Sequence, residues 1–149
     1  MSRIKELVSE DVDQFDEPAA LNGLVKSQSL TIIGSLAKLN EHDSANRSNR
    51  FVGAKLKAEM TEMVMLQCGP LKPITGPVVV SFHWYFSSKH DFDNIGFARK
   101  YVLDGMVHSG KLPNDNQSWV HGFGAEYFTK VPKGQEKVVV TIVASDRTL

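Results

Sequence analysis

The chain has 149 residues, 42% of them hydrophobic and 23% charged, which is material for one soluble-type domain with a real core and excludes wholesale disorder. No apolar run reaches membrane-spanning length; the longest, PVVVSFHWYF, is interrupted by Ser81 and His83, so no membrane partner is expected. The formal net charge of zero hides an asymmetry: residues 1–20 hold two basic and six acidic side chains, and residues 21–149 hold fifteen basic and eleven acidic. The body is therefore mildly basic, which permits a polyanionic partner without demanding one.

The first twenty residues read as an acidic arm or short amphipathic helix, with Ile4, Leu7, Val8 and Phe15 at helical spacing. They show no signal-type apolar stretch, and the single cysteine, Cys68, excludes an internal disulfide; both lead us to expect the reducing cytoplasm. SLTIIGSLAKL (29–39) predicts a strand, and NEHDSANRSNR (40–50) a polar loop. FVGAKLKAEMTEMVMLQ (51–67) predicts a helix with Leu56, Met60, Met63, Val64 and Gln67 on one side. Cys68, just past it, reads as a buried inert thiol. After a Gly/Pro-punctuated connection, VVVSFHWYF (78–86) is the strongest strand, alternating Val78, Val80, Phe82, Trp84 and Phe86 onto one face. A helix follows, capped by Asp93 or Asn94, buried along Ile95, Ala98, Val102 and Met106, and stopped near His108 by Gly110. KLPNDNQ is a loop, and SWVHGFGAEYFTK and EKVVVTIVA close the chain as two strands. The expected fold is α+β: a single domain, residues 21–149, with a small mixed sheet covered by helices, preceded by the acidic arm.

The chemistry concentrates in the segment that follows the strongest strand. On extended chain, Asp91 and Asp93 project to one side with α-carbons about 6.5 Å apart, so their carboxylates can converge. Two anions that close repel unless a cation lies between them, and magnesium or manganese suits oxygen ligands. The plain alternative is a solvated loop that caps the helix. Asp115, in the loop after that helix, supplies a third carboxylate if the loops meet, and is otherwise a turn residue. Lys100 is open to two readings: a phosphate-holding cation, or an i,i+4 partner of Asp104 on the helix surface.

Several motifs in order make the chain resemble the RusA-type Holliday-junction resolvases, closest to their phage and prophage branch. The motifs are DFDN at 91–94, KYVLDGM at 100–106, SGKL at 109–112 and NDNQ at 114–117, with LNEHDSANRSNRFVGAKLKAEM upstream. Residues 29–145 or so are covered, and the acidic arm is not. The resemblance implies a RusA-like fold and a magnesium-dependent endonuclease that cleaves branched DNA by attack of a metal-activated water on a phosphodiester. It implies Asp91, Asp93 and Asp115 as metal ligands, Lys100 as the catalytic lysine, and a C2 homodimer matched to a junction's two-fold symmetry. Two positions depart from the pattern. Asn114 stands where the family often has an acid, and Phe97 stands where its lysine usually falls, so Lys100 is aligned by reading back from LDGM.

Arg47, Arg50, Lys55, Lys57 and Arg99 are expected DNA contacts, against the plainer reading of a solvated loop and helix face. His90 adjoins Asp91 and reads either as a residue steering a metal-bound water or, more commonly, as merely exposed. His83 by alternation opposes the Val/Phe/Trp face, to pack or to line a groove, and His108 and His121 have no zinc spacing. Trp84 reads as core, and Trp119 could stack on an unpaired base, though packing is the commoner role. Two further functions are consistent with the residues: a DNA-binding module that has lost catalysis, with Asn114 and Phe97 as its marks, and an adaptor whose acidic arm docks a protein.

Overall fold

The computed structural model describes residues 27–36, 50–87 and 95–145, the side chains of residues 50 and 51 excepted. Its elements in chain order are β1 (Ser27–Ile33), α1 (Arg50–Met65), β2 (Val78–Phe86), α2 (Arg99–His108), β3 (Val120–Lys130) and β4 (Lys137–Ala144). The four strands form one mixed sheet in the order β1-β4-β2-β3. β4 runs antiparallel to both its neighbours, with Leu30 opposite Val140 and Phe82 opposite Val140 from the other side. β2 and β3 are parallel, and α2 lies in the crossover that parallel neighbours require. The α+β expectation with a small mixed sheet and helices is met.

The core follows from alternation. Val78, Val80, Phe82 and Trp84 on β2, Val138, Val140 and Ile142 on β4, and Leu30 and Ile32 on β1 are all buried. Ile95, Ala98, Val102 and Met106, the expected stripe ahead of and along α2, join the same core, as do Val64 of α1 and Cys68. Leu56, Met60 and Met63 pack against it half-buried. Burial pushes the Cys68 thiol up from its ordinary value, and its Sγ donates to the Val64 carbonyl, so the inert reading stands.

Three boundaries differ from expectation. β1 starts two residues early and ends at Ile33, because Gly34 turns the chain at a positive φ of 118°. α1 ends at Met65 rather than Gln67, since the amides of Gln67 and Cys68 reach only three residues back, to Val64 and Met65. Regular helix begins at Arg99; before it, three-residue hydrogen bonds from Ala98 to Ile95 and from Lys100 to Phe97 make a tighter lead-in. Asp93 and Asn94, the expected caps, lie outside the described residues. At the other end Gly110, with φ of 83°, stops the chain as expected.

β3 carries two irregularities that matter for the site. Its pairing with β2 slips between Val78 and Val79 and again between Val80 and Phe82, each time placing one extra residue in β3. At the second, Gly124 lies so close to Ser81 that an added Cβ would come 2.3 Å from its Oγ. Phe123 and Glu126 are three apart and would face opposite ways on a regular strand. The extra residue brings both to the helix side, where Phe123 packs on Phe82 and Glu126 meets Trp84.

Candidate functional site

α1 and α2 cross at Gly105, and on one flank of that crossing lies an open groove of about 650 Å³. α1 supplies Lys57, Thr61 and Glu62, with Ala54 and Ala58 leaving space between them. Those positions follow helical spacing on a side adjacent to the core stripe, so α1 works on two faces. From α2 come Lys100, Asp104 and His108, four residues apart and therefore in one row. Asp115 enters from the loop beyond α2.

That loop is preformed. The Asn114 side-chain carbonyl accepts from the Asn116 amide, and the Asn116 side-chain carbonyl accepts from the Ser118 amide, each at 3.0 Å. These two successive side-chain turns hold Asp115 between them. Its carboxylate is exposed and makes no ion pair or hydrogen bond among the described residues. The asparagine that departs from the family pattern thus has a structural task of its own.

Lys100 is 55% exposed and only 3.9 Å from Asp104 Oδ2, so the i,i+4 pairing of the plain reading does form, but loosely. A surface pair of that kind contributes a few tenths of a kcal/mol at most, roughly, and leaves the ammonium free to turn to another anion. Arg99, its neighbour, is committed elsewhere: Nη1 lies 2.6 Å from Glu126 Oε1 and the guanidinium stacks 5.2 Å above the Phe123 ring centroid. Phe97 packs edge-on against Tyr101 and faces the core.

Among the other expected residues, Lys55 is exposed on α1 but is not part of the groove wall, whereas Lys57 is. Arg50 opens α1. Asp91, Asp93, Arg47 and His90 lie outside the described residues. Trp84 is core and donates its Nε1–H to Glu126 Oε2 at 2.6 Å, while Trp119 is half-buried against the core. His83 stacks on Tyr85 and bonds Thr129 on the sheet face away from the helices; His121 bonds Ser145.

Sequence reasoning missed Thr61, Glu62 and His108, whose signal was their spacing with Lys57 and Lys100, and Glu126, which gave none. Thr61 is 5% exposed, and its hydroxyl has no hydrogen-bond partner among the described residues. The groove therefore offers three carboxylates, two ammonium groups, an imidazole and an unsatisfied hydroxyl. Its carboxylates are the hard oxygen donors that magnesium or manganese takes, so the residues fit such a cation in kind. In placement they fall short: among the described residues no three acidic, His or Cys side chains are gathered as a metal needs. No helix among the described residues is long and apolar enough to cross a membrane. No family model matches the chain, and no curated protein does.

Proposed function

We propose that the chain is a magnesium- or manganese-dependent endonuclease of RusA type that nicks branched DNA, four-way junctions above all, as a C2 homodimer in the cytoplasm. What carries the reading is one groove whose walls include Lys57, Lys100 and Asp115, three residues singled out for DNA and metal chemistry from the sequence alone. Asp115 is held by two turns and has no ion pair or hydrogen bond among the described residues, and Lys100 is the more exposed and more loosely paired of the Arg99–Lys100 pair.

In this reading Asp91 and Asp93 would hold a cation together with Asp115, and that cation, when bound, would supply Lewis acidity and make a water more acidic. Lys100 offsets negative charge on the phosphate as the bond to the leaving oxygen breaks. Lys57, with Arg47, Arg50 and Lys55, neutralises neighbouring phosphates, and the Thr61 hydroxyl donates to a phosphate oxygen or to water in the groove.

The test is cleavage of a labelled four-way junction beside a matched linear duplex, in magnesium and in EDTA. Paired symmetric nicks are expected only in magnesium and only on the junction. Asp93→Asn and Asp115→Asn should each lower the rate at least about 100-fold, and Lys100→Ala about 10- to 100-fold. Cutting of every substrate would keep the metal chemistry and remove the junction preference. A second reading, a junction-binding module without catalysis, draws on Phe97 and Asn114, which pack and build a turn where the family has a lysine and an acid. Tight binding in EDTA with no cutting in magnesium would establish it.

A further inference from the structure

Outside the groove, the Glu126 carboxylate is held at both of its oxygens. Its Oε2 accepts from Trp84 Nε1 and its Oε1 from Arg99 Nη1, both at 2.6 Å, and its side chain is only 21% exposed. The pairing exists because the irregularity in β3 turns Phe123 and Glu126 to the same side, giving Arg99 a ring to lie on and an acid to bind. Gly96 lies directly against it. A Cβ there would stand 3.4 Å from both Arg99 Nη1 and Glu126 Oε2, so the lead-in to α2 rests on the ion pair itself.

Adjacent residues on a helix point about 100° apart. Holding residue 99 against β3 therefore fixes the direction of residue 100, and residue 100 is a wall of the groove. We propose that Glu126 is a positioning residue for the endonuclease: through Arg99 it sets the rotation of α2 and keeps Lys100 on the groove side. Arg99 is then a strut rather than a DNA contact. This rests on the endonuclease reading above, and it assigns a task to a residue that is in none of the motifs that suggested that reading.

The experiment compares Glu126→Gln, Arg99→Gln and the double variant with wild type. A glutamine keeps an acceptor for Trp84, so the sheet is retained, and thermal midpoints check this. Single-turnover cleavage is measured in magnesium, and junction affinity in calcium over a series of salt concentrations. Each single variant should cut about 10-fold more slowly while its affinity and salt slope stay within two-fold of wild type. The double variant should be no slower than either single, because the two residues act as one unit.

Wild-type rates in Glu126→Gln would overturn the proposal and leave the endonuclease reading standing. So would weaker binding by Arg99→Gln with a salt slope reduced by about one, the mark of a lost phosphate contact. Should Glu126→Gln fail to fold, the exposed-side variant Arg99→Gln decides alone by the same two measures. A wild-type protein that neither binds nor cuts the junction overturns the endonuclease reading first, and this proposal with it.

Discussion

Gly105 is the residue on which the groove depends most directly. An added Cβ would lie 2.4 Å from Val64 Cγ1 and 3.1 Å from the Met65 amide nitrogen, distances at which the two helices must separate. Gly105→Ala should therefore lower stability by about 2–3 kcal/mol, read as a shift in the urea midpoint. Val64→Ala, which vacates the colliding methyl groups, should recover part of that loss in the double variant. Glu136 gives a pH-dependent counterpart. The hydrogen bond from Ser87, then those from its own amide and that of Gly134, with Lys133 nearby, hold its carboxyl below the ordinary 4.5. A depressed folded pKa gives stability that is fully present above the unfolded value and disappears as pH falls through the folded one. The gap in urea midpoint between wild type and Glu136→Gln should be widest above the unfolded value and narrow as pH falls through the folded one.

Among the elements, β1 shows how side chains serve a strand that has one strand partner among the described residues. The Ile33 amide donates to Gln67 Oε1 at 2.8 Å and Gln67 Nε2 donates back to the Ile33 carbonyl at 3.0 Å. Five residues earlier, the Gln28 side chain of β1 makes the converse reciprocal pair with the backbone of Lys72, at 2.9 and 3.0 Å, tying the strand to the connection after α1. Gln67 thus occupies backbone groups of Ile33 that would otherwise template association. Gln67→Ala should cost about 1 kcal/mol in urea, since water replaces both bonds at this exposed site, and light scattering on heating should rise. The alternation of β2 and the spacing of α2 were legible because each buries one face, so period alone finds them. Gln67 was legible only as a misfit on the apolar side of α1. Its partner strand lies 34 residues away, and no local pattern reports that. The same holds for β3, where HGFGAEYF reads as a strand but the extra residue at Gly124, and hence the Phe123–Glu126–Arg99 contact, depends on register against β2.

For the whole molecule, the α+β class and the list of strands could be read in advance, while the order of the strands could not, because pairing is set by tertiary contact. The site divided along the same line: Lys100 and Asp115 announce themselves by motif, and of the α1 wall opposite them Lys57 was legible as a basic residue whereas Thr61 and Glu62 were not. The order itself has a consequence for how the protein is made. β4, the last of the four described strands, sits inside the sheet, and it is the one partner of β1 among the described residues; Ser27 lies opposite Val143. A ribosome delivers the chain from the other end. Until residues 137–144 have left the exit tunnel, β1 lacks the strand it pairs with among the described residues, and Val78 to Phe86 lacks its antiparallel neighbour. Closure of the described sheet is therefore expected to come late in synthesis.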